Sequence, residues 1–222
     1  MQLRDCDNVL VFGGTFDPPH HGHVALPMMA AEAIGADAVA YVPARVSPFK
    51  QTTSNSGAHH RLAMLRLAVA NRPRAHVLTD ELDQENHGEP SYTVDTLRRL
   101  RERLGDGPTF RLLIGADQVR RFDHWKEPET VIELAEPVVM LRPPDTVTTL
   151  LSSVDDTVER DRWRERIVKL PRLEISSTDL RQRMAEDRSV TGLLPRAVED
   201  YARRHGLYHE VEPHLDEHLM TL

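Results

Sequence analysis

The stretch "NVLVFGGTFDPPHHGH" occupies residues 8–23, and its reading decides the fold. The short apolar run 8–12 predicts a buried strand, and two glycines end it. Glycines directly after a strand let the backbone approach a ligand closely and turn N–H groups toward an anion. "GHVALPMMAAEAIG" (22–35) then reads as a helix closed by Gly35. Pro27 fits that helix only near its first turn, where a missing N–H costs little.

The same alternation continues downstream. Strands are predicted at 37–43, 75–79, 109–115 and 137–143, with helices at 58–71, 91–105 and 128–135 between them. Ser91 is the expected N-cap of the 91–105 helix, and Gly105 its stop. Strands alternating with helices imply parallel pairing through right-handed crossovers, with helices on both faces. The fold class is therefore α/β: a Rossmann-like, doubly wound parallel sheet in a single domain, residues 1–208. Residues 144–170 read as a peripheral insertion. Regular order returns at "RLEIS" (172–176), followed by a helix from about Ser177 to Glu186 and another near 195–205, a small C-terminal helical part. Residues 209–222 form an acidic tail expected to be flexible. In open α/β sheets, ligands bind outside the carboxyl ends of the strands. That rule puts both "GGTFDPPHHGH" and "GADQ" (115–118) where a ligand is expected.

Composition narrows the function classes. The net charge is −7, of which the tail, with Glu210, Glu212, Asp216 and Glu217 and no Lys or Arg, supplies −4. No basic stripe stands out to track a nucleic-acid polymer. A single cysteine, Cys6, rules out an intramolecular disulfide and suits a reducing compartment. The polar N-terminus lacks the apolar core of a signal peptide, and no apolar run approaches the roughly 20 residues that span a bilayer. A soluble cytoplasmic protein without a membrane partner is expected.

His20 and His23 lie three apart at a helix start, so both can share one face near the positive end of the helix dipole. Imidazole donors there suit an anion, above all one whose charge grows in a transition state. Thr15 can add a hydroxyl to the turn. Three other readings compete. One is a glycine turn with incidental histidines. A second is a metal site built from Asp17, His20 and His23, whose ligand types are right although a helix N-terminus disfavours a cation. A third is a dinucleotide fingerprint, which needs G-x-G-x-x-G and finds Gly-Gly-Thr-Phe-Asp-Pro.

A second anion site is legible in "EISSTDLRQRM" (174–184). Ser176, Ser177 and Thr178 open a helix, and Arg181 follows one turn on. Free N–H groups, hydroxyls and a guanidinium can converge there on a phosphate, although a plain N-cap would look the same. "SPFK" (47–50) brings Lys50 after the second strand, either toward a phosphate or into solvent.

These residues carry a family resemblance. "GGTFDPPHHGH" resembles the T/H-x-G-H signature of the nucleotidyltransferase superfamily, and "ISSTDLR" (175–181) its second phosphate motif. Within it the chain looks most like the bacterial nicotinate-nucleotide adenylyltransferases. The further matches are "SPFK", "SYTVDTL" (91–97), "GAD" (115–117), Trp125 and "LLPRAVEDYARRHGLY" (193–208). The resemblance implies that nicotinate mononucleotide attacks the α-phosphorus of ATP directly, without a covalent intermediate, giving nicotinate adenine dinucleotide and pyrophosphate. It implies that His20, His23 and Thr15 are catalytic. Gly13, Gly14, Thr15, His20 and His23 would contact the ATP phosphates, and Ser177, Thr178 and Arg181 would hold the β- and γ-phosphates. Gly115 and Asp117 would meet adenosine. Lys50, Thr93, the backbone of Val94 and Trp125 would bind the mononucleotide. Mg²⁺ would accompany ATP, with no resident metal site implied.

The chain departs from the family at Phe49, where a histidine is usual, and at Lys126, where an aromatic is common. A cation at 126 would suit the carboxylate of the acid form. Rival readings are a sister enzyme (phosphopantetheine adenylyltransferase or a cytidylyltransferase), a non-catalytic nucleotide sensor, and a metal-binding protein. Assembly into a homo-oligomer stays open.

Overall fold

The computed structural model describes residues 2–45, 56–83, 91–105, 107–154 and 156–209. In chain order the main elements are β1 (Asn8–Gly14), α1 (His21–Ala33), β2 (Ala38–Pro43), α2 (Ala58–Val69) and β3 (Ala75–Val77). Then come α3 (Thr93–Leu104), β4 (Thr109–Gly115), a short α4 (Ala116–Val119), α5 (Pro128–Leu134) and β5 (Ala135–Met140). The chain continues through α6 (Val147–Leu151), α7 (Thr157–Glu165), β6 (Ile167–Val168), α8 (Ser177–Ala185) and α9 (Arg196–Arg204).

The strands form a six-stranded sheet in the order β3-β2-β1-β4-β5-β6, and every pairing is parallel. The order reverses between β1 and β4, so the crevice at their carboxyl ends is the topological switch point. Gly13 and Gly14 end one of those strands and Gly115 the other.

Alternating residues of β1 feed two different cores, which is why its run is apolar without a break. Val9 and Val11 join Leu97 and Leu100 of α3, Val131 of α5 and Trp163 of α7. Leu10 and Phe12 join Val24, Leu26 and Ala30 of α1 and Leu65 and Val69 of α2. Burial of each such large side chain contributes about 2 kcal/mol. A third cluster sits beside the sheet: Met64 of α2 packs on Leu180 and Met184 of α8, Val190, Leu194, and Val198 and Ala202 of α9. The C-terminal helical part is therefore docked on α2.

Several boundaries differ from the sequence expectation. β1 runs on through both glycines to Gly14, because Gly13 and Gly14 pair with Val42 and Pro43. Pro27 is the seventh residue of α1, not part of its first turn. It is buried, and α1 lacks the amide bond that residue 27 would have given to the carbonyl of His23. Tyr92, not Ser91, is the N-cap of α3, and its side chain makes no capping bond. Gly105 does stop α3, at φ +70°. Residues 172–176 form no regular element.

Segment 144–170 is peripheral in position yet continuous with sheet and core. It supplies the edge strand β6, paired with Val139 and Met140, and buries Leu150, Leu151 and Trp163. Its helices have local start signals: Thr146 Oγ1 accepts from Thr149 N at 3.1 Å, and Asp156 Oδ1 from Glu159 N at 2.9 Å.

Candidate active site

The turn from β1 into α1 is packed from within. A Cβ on Gly14 would lie 2.9 Å from the Phe16 ring, so glycine is what lets that ring fold back under the strand end. Gly13 is not crowded in this way; a Cβ there would meet only the Val42 carbonyl, at 4.0 Å. Phe16 is buried and adopts φ +52°, in the left-handed region. For a bulky L-residue that conformation costs about 1–2 kcal/mol, which the surrounding contacts must offset. The next peptide, Asp17–Pro18, is cis.

His20 is the N-cap of α1 and is only 2 % exposed. Its ring stacks on that of His23, centroids 3.7 Å apart and planes 25° from parallel. The His20 backbone N–H donates to Nδ1 of His23 at 3.4 Å. In a neutral ring that leaves the His23 proton on Nε2. Phe16 backs His23 edge-on at 5.2 Å. Gly22 makes room for the pair, since a Cβ at 22 would come within 3.1 Å of the His20 ring. Burial, then the charges of Arg142 and His21, lower the His20 pKa to about 3, so the imidazole is neutral at physiological pH. Its Nδ1 is buried and has no hydrogen-bond partner among the described residues. His21 points to other work: its backbone N–H donates to the Leu193 carbonyl at 3.1 Å.

α8 lands directly on this turn. Ser176 caps the helix, its Oγ accepting from Asp179 N at 3.1 Å. Ser177 Oγ donates to the carbonyl of Pro18 at 2.8 Å. Arg181 Nη1 donates to the carbonyl of Asp17 at 2.7 Å, and Nη2 to Thr178 Oγ1 at 3.3 Å. α8 thus brings the two predicted anion motifs together, although 159 residues separate Ser177 from Pro18. Ser177 departs from its simplest expected role, because its hydroxyl already holds the Pro18 carbonyl.

At the end of β4, Gly115 N donates to Gln118 Oε1 at 2.9 Å. A Cβ on Gly115 would sit 2.7 Å from Asp117 Oδ1, so glycine admits the close approach of that carboxylate. Asp117 is exposed, with Arg142 Nη2 at 4.0 Å. On the mononucleotide side, Thr93 and Val94 begin α3. The Val94 side chain is wholly inside the core, so a ligand could meet only its backbone. Trp125 is half-buried and lies against Phe122, ring centroids 5.0 Å apart. Lys126 does not stand open for a ligand carboxylate: its Nζ donates to both oxygens of Asp95, at 3.2 and 2.9 Å, and sits 5.0 Å from the Tyr92 ring centroid. It ties the Trp125 turn to the start of α3 instead. Lys50 lies outside the described residues.

Sequence reasoning missed several polar groups behind the cradle. Arg61 of α2 is 1 % exposed and donates from Nη1 to the Thr15 carbonyl at 2.8 Å and from Nη2 to the Arg45 carbonyl at 3.4 Å. Burial pulls its pKa down, and the charges of Asp17, Tyr208 and Glu81 oppose that. A signal existed, because Arg61 falls on the same stripe as buried Met64, Leu65 and Val69. Asp17, 3 % exposed, accepts from Ser56 Oγ and from Tyr208 OH on Oδ1, each at 2.5 Å. Glu81 is also buried, which raises its pKa; Thr96 Oγ1 donates to it at 2.7 Å from the second turn of α3. Arg142, just past β5, faces His20 electrostatically and adds a cation to the crevice.

The donors converging here are N–H, imidazole and guanidinium groups, which suit phosphate oxygens. Among the described residues no cluster of His, Cys, Asp and Glu is arranged to hold a metal ion. Among the same residues no helix is long and apolar enough to cross a membrane.

The cytidylyltransferase-like family model matches residues 11–183. A protein of Thermomicrobium roseum named "Probable nicotinate-nucleotide adenylyltransferase" is 38% identical over 202 residues, covering 91% of this chain and 92% of its own. A like-named protein of Rhodopirellula baltica is 37% identical over 192 residues, covering 85% and 87%. Among solved structures, Plasmodium falciparum nicotinic acid mononucleotide adenylyltransferase complexed with NaAD shares the fold, with a TM-score of 0.69 at 20% identity over 91% of this chain and 97% of that one. A family model over most of the chain and relatives similar over nearly its whole length have one placement: the chain belongs to the nicotinate-nucleotide adenylyltransferase family, within the cytidylyltransferase-like proteins.

Proposed function

We propose that the chain joins ATP and nicotinate mononucleotide into nicotinate adenine dinucleotide with release of pyrophosphate, in the cytoplasm. The observation that carries this is the contact of α8 with the turn of residues 17–18, which brings Arg181 beside the turn that leads into the histidine pair. A phosphate oxygen of the mononucleotide attacks the α-phosphorus of ATP in line. The new P–O bond forms as the bond to the bridging α,β-oxygen breaks, and pyrophosphate leaves. The nucleophile is already an anion, so positioning and charge neutralisation suffice, and no strong base is needed.

His20 and His23 would donate to the non-bridging oxygens as their charge grows. Thr15, Gly13 and Gly14 would line the phosphate path, and Thr178, Arg181 and Arg142 would take the departing β- and γ-phosphates. Ser177 would act by holding the turn. Asp117 and Gly115 would meet adenosine. Trp125 would stack on the pyridine ring, the first turn of α3, at Thr93 and the backbone of Val94, would receive its carboxylate, and Lys50 the mononucleotide phosphate. A divalent cation, Mg²⁺ on this reading, would arrive on ATP and be held by its phosphate oxygens, neutralising them; the cradle's own donors do not suit a cation.

The assay offers ATP with nicotinate mononucleotide, nicotinamide mononucleotide or phosphopantetheine and follows pyrophosphate. Release should be fastest with nicotinate mononucleotide. Faster release with phosphopantetheine would replace the reading with a sister activity, and release with none of them would end it.

A further inference from the structure

The carboxylate of Asp17 lies at the centre of a buried network to which the proposed chemistry assigns nothing. Its Oδ1 accepts from Tyr208 OH and Ser56 Oγ, and Oδ2 from Ser56 N at 3.4 Å. Ser56 and Tyr208 are themselves within 3.3 Å through their hydroxyls. The Asp17 carbonyl takes Arg181 Nη1, the neighbouring Pro18 carbonyl takes Ser177, and the Thr15 carbonyl takes Arg61. The turn that aims His20 is therefore pinned by α2, by α8 and by the segment after α9. That last contact lies 191 residues away in the chain.

Two bulky residues beside the network adopt left-handed backbone, Phe16 at φ +52° and Tyr208 at φ +67°. Such conformations persist only where the surroundings over-determine them, and they concentrate at functional sites. Gly206, at φ +59°, turns the chain after α9 so that Tyr208 points back to Asp17. Tyr208 is also wedged against Met64 Sδ at 3.9 Å.

We propose that Asp17 is a positioning residue for adenylyl transfer and that Tyr208 is its latch, so that docking of the C-terminal segment sets the geometry of the anion cradle. Asp17 is buried, only 3 % exposed. Its side chain accepts the latch while its carbonyl orients Arg181, and the same short turn leads to His20. The proposal rests on the function given above, so its test includes a readout independent of turnover.

The test compares Tyr208→Phe, Asp17→Asn and the double variant in the full-length protein. Tyr208→Phe keeps the ring and removes only the hydroxyl, and thermal melts verify the fold. The expected result is a fall in kcat of about tenfold, below the roughly 10²-fold that a 1 Å misplacement can cost, with the KM of nicotinate mononucleotide within about twofold of wild type. Tyr208→Phe should cost less in the Asp17→Asn background than alone. In nitrogen-15 NMR of the imidazoles, the His20 and His23 signals should move in Tyr208→Phe without substrate present. A kcat within twofold of wild type, additive variants, or unmoved imidazole signals would each overturn the latch. Wild-type protein inactive with every mononucleotide would instead overturn the activity, and the NMR comparison would still decide the latch.

Discussion

The imidazole of His20 lies flat against that of His23, ring centroids 3.7 Å apart, in a gap that Gly22 leaves open. Close stacking of this kind needs at least one neutral ring, and His20 is the neutral one: burial leads the forces that take its pKa to about 3. The pair can present two donors to a developing negative charge without first losing a proton.

Replacing His20 with Ala should lower kcat by about 10²-fold or more, the scale of losing one transition-state donor. The KM for ATP should change little. A fall in ATP affinity with unchanged kcat at saturation would remove His20 from the chemistry. Gly22→Ala tests the same ring from outside, since its new Cβ would press on the imidazole at 3.1 Å; it should reduce kcat while leaving the melting temperature nearly unchanged.

The neutral His20 also sets a pH dependence. Its folded pKa, about 3, lies below the ordinary 6.5. Between these values the unfolded chain takes up the proton and the native ring does not. The contribution to stability is therefore fully present above about pH 6.5 and is lost as pH falls toward 3, by at most about 1.4 kcal/mol per pH unit. Urea midpoints at pH 7 and pH 5 should differ more for wild type than for His20→Gln. Equal differences would show that another group carries the effect.

Arg181→Ala should weaken ATP binding by roughly tenfold to a hundredfold, the range for a charge-assisted contact, and leave nicotinate mononucleotide binding nearly intact. Calorimetric titration with each ligand separates the two. Equal losses would mean that Arg181 serves the turn at Asp17 more than the phosphates.

Arg61→Met should destabilise the fold by about 2–4 kcal/mol, because it removes a buried guanidinium from Asp17 and from two carbonyls. Denaturant unfolding measures the loss. A change below about 0.5 kcal/mol, the usual range for a surface substitution, would contradict the burial of Arg61.

The sheet was legible where its strands bury both faces. The runs around Leu10, Val39, Leu113 and Val139 are apolar without interruption, and glycines or polar turns punctuate them. β6 was not legible, since Ile167 and Val168 are two residues inside "RERIVKL" and resemble the end of a charged helix. The two segments predicted to bind anions could be picked out singly because each has its own local logic. Their contact could not, since nothing local links Pro18 to Ser177. Tyr208, Ser56 and Arg61 stayed hidden for the same reason: a buried polar network draws members from distant segments, and only the fold brings them to Asp17. Lys126 misled for a simpler reason, as its partner Asp95 lies 31 positions earlier, in α3.

The docking of α8 and Tyr208 on the turn at 15–20 also orders events during synthesis. Among the described residues every strand ends by Val168, whereas Ser177, Arg181 and Tyr208 come after it. At roughly 5–20 residues per second the nascent turn waits about ten to thirty seconds for Ser177, 159 positions later. A chain still on the ribosome can pair its strands but cannot yet brace the turn at 15–20 with α8 and Tyr208, so unfinished copies should lack the proposed adenylyl transfer.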